Sequence, residues 1–140
     1  MSYAGKRAAL KQYQQVDLQT RIEEASPHRL IQLLMEGALE KIFIARRLMS
    51  DGKLGPKAEH ITWAISIIDG LKISLDKKLG GEIAQNLDDL YDYMVRRLVM
   101  ANLENDVAIL DEVSDLLKQI KEAWDAIAGT ERPKTGQPAA

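Results

Sequence analysis

Apolar residues return every three or four positions through four stretches of this chain, and only short breaks separate the stretches. That interval keeps one side of an α-helix apolar and matches no strand pattern. In the first stretch the stripe is Ile31, Leu34, Ala38, Ile42, Ala45 and Met49. Ser26 suits its N-cap and Pro27 its first helical position, and SDGKLGP, Ser50 to Pro56, ends it. The second runs from about Lys57 to Lys78 through Ile61, Ala64, Ile65, Ile68, Leu71 and Leu75, and Gly80-Gly81 closes it. The third begins near Glu82 and carries Ile83, Leu87, Leu90, Met94, Leu98 and Ala101. In NLEND, Asn105 or Asp106 caps the fourth, which repeats through Leu110, Val113, Leu117, Ile120, Trp124 and Ile127, with Gly129 as its stop.

Each stretch is roughly 20 residues, or about 30 Å of helix. Short links between helices of equal length favour antiparallel neighbours. The expected fold is therefore all-α: an antiparallel up-down four-helix bundle over residues 20–129, with a short N-terminal helical segment packed on it. That segment, residues 1–19, carries Leu10 and Tyr13 on one side. Residues 130–140, polar and rich in Pro and Gly, are expected to form a disordered tail.

Composition removes several kinds of function. With 19 basic and 21 acidic residues the net charge is −2, which gives no global hold on nucleic acid. The absence of cysteine rules out disulfides and thiolate chemistry. MSYAGKRAALKQY lacks the apolar core of a signal peptide, and no apolar run reaches the length of a membrane span, so a cytoplasmic protein is expected. Glu59 and His60 are adjacent rather than spaced as Glu-x-x-His, so the paired motif of di-iron bundles is missing. As a phosphorelay histidine, His60 lacks a following lysine or small residue. His28, in a first helical turn, suits capping or exposure. Glu23-Glu24 and Asp88-Asp89 read as solvated surface, and Gly80-Gly81 has no lysine-serine pair to make a phosphate loop. With no nucleophile beside a base, no catalytic residue, cofactor or metal is expected. The chain reads as a binder.

What it binds is suggested by apolar residues left over. Trp63 and Ile67 lie off the main stripe of the second helix, in line with Gly70 and Ser74. Tyr93 and Met100 sit one heptad apart outside the third stripe, with Arg96 and Arg97 between them and Leu103 further round. LIQLLMEGALEKIFIA is apolar over more than half its circumference. A bundle helix needs only about three apolar positions in seven. Three accounts of the surplus stand side by side. Wide faces can seat each helix between two neighbours, with Trp63 over a bundle end and Met100 filling a gap. Alternatively the surplus forms a groove for a partner helix, which Gly70 and Ser74 allow to approach. A homodimer interface would use the same surface.

The string GGEIAQNLDDLYDYMVRRLVMANLEND, Gly80 to Asp106, resembles the flagellin export chaperone family, FliS. ASPHRLIQLLMEGAL, ISIIDGLKISLD, Trp124, and the tyrosine-then-valine pattern at Tyr13 and Val16 carry the same likeness, which runs from about Leu10 to Ala128. The resemblance implies a cytoplasmic chaperone that wraps the C-terminal segment of flagellin, prevents its premature polymerisation and offers it to the gate of the flagellar type III export apparatus. Other flagellar regulators are further implied partners; nucleic acid and membrane insertion are not. The expected flagellin-binding residues are Trp63, Ile67, Gly70, Leu71, Tyr93, Met100 and Leu103, with Arg96 steering polar contacts. Leu10 and Tyr13 are expected to form a movable cover. The competing expectation is a structural helical-bundle adaptor whose extra apolar surface is a homodimer interface; either a monomer or a homodimer fits.

Overall fold

The computed structural model describes residues 25–136, with side chains to Ile127; Leu10, Tyr13 and the rest of the expected N-terminal segment lie outside the described residues. Four helices follow one another: α1 (Pro27–Ser50), α2 (Leu54–Ile73), α3 (Lys77–Glu104) and α4 (Val107–Gly136). No strand occurs among the described residues.

Local chemistry sets the ends. Ser26 Oγ accepts from Arg29 N at 3.1 Å and Pro27 opens α1, as the sequence leads one to expect. Gly52, at φ 76°, reverses the chain after α1, and Lys53 N donates to Leu48 O across that turn. Asn105 closes α3 in the left-handed region, which Asn tolerates better than most residues, and Asp106 Oδ1 then accepts from Ala108 N.

Three boundaries differ from expectation. The second helix stops at Ile73, because Asp76 caps a new helical turn by accepting from Lys78 N and Leu79 N. The break at Gly80-Gly81 is present but lies inside α3: Gly81, at φ 53° and ψ −126°, interrupts the helix after its first turn. The fourth helix also continues past Gly129 to Gly136. A glycine in a helix interior costs only about 1 kcal/mol, so it ends a helix only where the backbone turns away.

Around the core, α1 packs on α2 and α4, and α3 packs on the same two helices. Residues early in α1 meet residues late in α4, and residues late in α1 meet residues early in α4. Gln32 Nε2 donates to Asp125 at 2.7 Å and Trp124 Nε1 to His28 O at 3.0 Å, while Arg46 grips Asp111 through two nitrogens. The Arg46–Asp111 pair is half-exposed, so it orients more than it stabilises. Stability comes from the interior, where Met35, Ile42, Ile61, Ile68, Met94, Leu98, Leu110 and Leu117 are buried. Fully burying each such side chain is worth about 1.5–3 kcal/mol. Ala38, Ala45, Ala64 and Ala101 alternate with them and let the helix axes close up.

The buried row of α3 is not the expected one. It runs Ala84, Asp88, Tyr91, Met94, Leu98 and Ala101, while Ile83 and Leu90 face outward. Asp88, expected on the solvated surface, is instead buried beside Lys77 and Lys72, at 3.4 and 3.9 Å. Those two cations make its burial tolerable.

Candidate functional site

Trp63, Ile67 and Gly70 come together on the flank of α2 that meets α1. Trp63 is 53% exposed, and Lys41 Nζ of α1 stands 3.8 Å above its ring, a cation–π contact. Ile67 is half-buried against the core and lies on Gly37 of α1, where an added Cβ would stand 3.6 Å from Ile67 Cδ1. One turn on, a Cβ at Gly70 would meet nothing within 4 Å. That flank is thus an open shelf bounded by an indole.

Tyr93 looks the other way. Its hydroxyl donates to Glu112 of α4, which also accepts from Arg97 Nε at 2.9 Å. The bond to Glu112 raises the Tyr93 phenol above its ordinary value; the same bond, with Arg97, lowers the Glu112 carboxyl. Met100, one heptad on, shares that flank of α3 and stays partly exposed. Arg96 and Leu103 are exposed, with Val99 one turn before Leu103 also open to solvent. Leu71 is buried in the interior. Of the residues expected in one groove, Trp63 and Ile67 lie beside α1 and Tyr93 beside α4.

A third apolar feature escapes sequence reasoning. At one end of the molecule a cavity of about 390 Å³ opens between all four helices. Ile31 and Met35 of α1, Leu71 of α2, and Ile120 and Trp124 of α4 form its walls, with Leu87 and Tyr91 of α3. Leu79 and Ile83, 88% and 72% exposed, make its lip. Gly80 sits between them because a Cβ there would come within 2.7 Å of Ala84 Cβ. Behind Trp124, the His28 ring stacks on the indole at 4.5 Å, so His28 is half-buried rather than exposed. Tyr91 is 2% exposed, and burial pushes its phenol up to about 12. Its hydroxyl hydrogen-bonds to no described residue. The sequence signal for this cavity is the apolar pair Leu79 and Ile83 around two glycines, which reads equally well as an ordinary helix end.

Among the described residues no group of three or more His, Asp and Glu could hold a metal ion, and no helix is long and apolar enough to cross a membrane. His60 Nδ1 lies 2.9 Å from Pro56 O of its own helix.

The profile of the flagellar protein FliS family matches residues 9–131. The flagellar secretion chaperone FliSB of Pseudomonas aeruginosa is 52% identical over 120 residues, covering 86% of this chain and 95% of that protein. The flagellar secretion chaperone FliS of Salmonella typhimurium is 47% identical over 122 residues, 86% and 90% of the two chains. That of Bacillus subtilis is 32% identical over 114 residues, 81% and 84% of the two.

Proposed function

Because the chain belongs to the FliS family of flagellar proteins, we propose that it is a flagellar secretion chaperone that binds the C-terminal segment of flagellin in the cytoplasm. Held there, the segment is kept from premature polymerisation and is presented to a component of the flagellar type III export gate. Other flagellar regulators are candidate partners on the same protein. The family is one of chaperones rather than enzymes by the names of its members.

The observation that carries this reading is the amount of large apolar surface the four helices leave uncovered. Phe43, Trp63, Leu79, Ile83, Met100 and Leu103 are all exposed. A client segment of amphipathic character would cover such residues, and doing so would compete with its own self-assembly. Ordering that segment costs about 2–5 kcal/mol, which two or three well-buried anchors at about 1.5–3 kcal/mol each can offset. Trp63, Ile67 and Gly70 are our first choice for anchors, with Tyr93, Met100 and Leu103 as a second contact, Arg96 steering it and Leu71 as an inner wall. In this reading the helices form an antiparallel up-down bundle, and residues 1–19 pack on it with Leu10 and Tyr13 as a movable cover. The early-to-late contacts between neighbouring helices support that arrangement.

Calorimetric titration of the full chain with a peptide of flagellin's last residues, about 40 of them so as to span more than one 30 Å groove, tests the reading. Saturable binding with a negative heat-capacity change is expected. No binding, together with a dimer in sedimentation that ignores the peptide, would favour the adaptor alternative.

A further inference from the structure

Two adjacent glycines at the start of α3 are needed by the kinked arrangement of the chain and not by a straight one. Gly81, at φ 53° and ψ −126°, holds a backbone conformation that residues with a Cβ rarely adopt, although a Cβ there would meet nothing within 4 Å. At Gly80 the obstacle is contact: a Cβ would stand 2.7 Å from Ala84 Cβ. Residues four apart in an unbroken helix keep their Cβ atoms about 5–6 Å apart, so the kink creates that clash. Were α3 to run straight through, neither position would need glycine, and alanine would be the better residue at both.

The turn ahead of the kink is a body of its own. Asp76 caps it from within, accepting from Lys78 N and Leu79 N, and Gly80 N donates to Asp76 O at 2.8 Å. Leu79 is 88% exposed, so its packing does not hold the turn in place. The charged tie to the rest of α3 is Lys77 Nζ, 3.4 Å from Asp88 Oδ2. Asp88 is buried, yet Lys72 Nζ stands 3.9 Å from its other oxygen and is itself fixed by Asp92 at 2.8 Å. Lys77 therefore leaves without stranding the carboxylate. Slack exists on the other side as well. Ile73, the last residue of α2, is 82% exposed, and residues 73–76 reach about 14 Å when extended.

Helix register says where the turn would go. In an unbroken α3, Leu79 comes within about 40° of Ile83 and about 20° of Leu90 around the axis, on a flank where both are exposed. Asp76, Leu79 and Gly80 border the mouth of the end cavity in the kinked position; straightening carries them along the axis and off it. Leu79 is uncovered either way, so little apolar burial changes. The exchange is one partly exposed ion pair against continuous helical hydrogen bonding, which brings the two arrangements close in free energy.

We propose that residues 76–80 are a hinged lid at the mouth of the end cavity. The lid swings about Gly81 between the kinked position, latched by Lys77 on Asp88, and a second position in which α3 runs unbroken and the mouth widens. This is a property of the chain alone and goes beyond the chaperone reading.

The chain has no cysteine, so K78C with K118C, both at exposed positions, places one spin label on the lid and one on α4. Double electron–electron resonance on this full-length parent should give two distances. K77M removes the latch and should at least double the share of the second. G80A and G81A should each retain that second distance alone and melt no lower than the parent. A single distance in the parent, or a distribution that G81A leaves in place, overturns the lid. So does a G81A protein that melts several degrees lower or fails to fold, since the glycines would then serve a fixed corner. An unchanged share in K77M overturns the latch. None of these measurements involves flagellin, so they stand apart from the peptide titration.

Discussion

Lys57, buried at the start of α2, donates through Nζ to both the backbone oxygen and the side-chain oxygen of Asn102 on α3, at 3.0 and 2.7 Å. Asn102 O belongs to the last turn of α3, where carbonyls lack helical partners. A lysine thus ends one helix while anchoring the beginning of another. K57M keeps the apolar stem and removes the donors, leaving Asn102 unsatisfied. It should cost about 1–3 kcal/mol, seen as a lower urea midpoint with an unchanged slope.

The matching tie at the opposite end joins α4 to α1 through Trp124 and His28. W124F keeps most of the stacked surface but loses the bond to His28 O. Its expected cost is about 1 kcal/mol. W124A also removes a cavity wall and should cost more, about 2–3 kcal/mol for a half-buried aromatic. Thermal unfolding followed by circular dichroism ranks the two; equal melting temperatures would show that the ring's packing contributes nothing.

Gly70 offers a substitution whose effects on folding and binding should oppose each other. A Cβ there meets nothing, and alanine in a helix interior is worth about 0.5–1 kcal/mol over glycine. G70A should therefore melt higher while binding the flagellin peptide several-fold more weakly. Tighter or equal binding would take Gly70 out of the contact surface.

Ile67 behaves differently from what its position off the main stripe suggests. Since it packs on the core and on Gly37, I67D should lower stability by about 2–3 kcal/mol rather than act at the surface alone. W63A, at a half-exposed site, is the cleaner probe: a small stability change with a clear loss of peptide affinity. The two variants are compared by melting temperature and calorimetry.

Acid should loosen three connections together. Asp92 is lowered chiefly by its bond to Lys72, Glu112 by Tyr93 and then Arg97, and Asp125 by Lys121 and then Gln32. A carboxylate depressed in the folded state adds stability above its unfolded value, here 3.8 to 4.5, and loses it as pH falls through the folded value. The urea midpoint should thus stay level from pH 7 to 5 and decline below about pH 4. E112Q should be the less stable protein at pH 7, with the gap to wild type closing in acid. A gap independent of pH would contradict the assignment.

The helices themselves were legible from residues near one another in the chain. Ser26 with Pro27, Gly52, and Asn105 with Asp106 act within four residues of the groups they satisfy, so those ends need no tertiary information. The stripes of α1, α2 and α4 were largely legible for a similar reason, since apolar spacing and burial mostly coincide there; Met35 and Ile109 are buried off their stripes, and Ile127, on its stripe, is exposed. In α3 spacing and burial part. Its interior takes Asp88 and Tyr91 over Ile83 and Leu90, because Lys72 and Lys77, supplied from outside that run, surround the carboxylate. A pattern that ranks residues by hydrophobicity cannot anticipate that.

The surplus of apolar residues was likewise visible in the sequence, but its distribution was not. Trp63 and Ile67 face α1, Tyr93 faces α4, and the end cavity gathers residues from all four helices. Periodicity states the angle of a side chain about its own axis. Which neighbour stands at that angle depends on how four helices settle against one another, and that is decided by long-range packing.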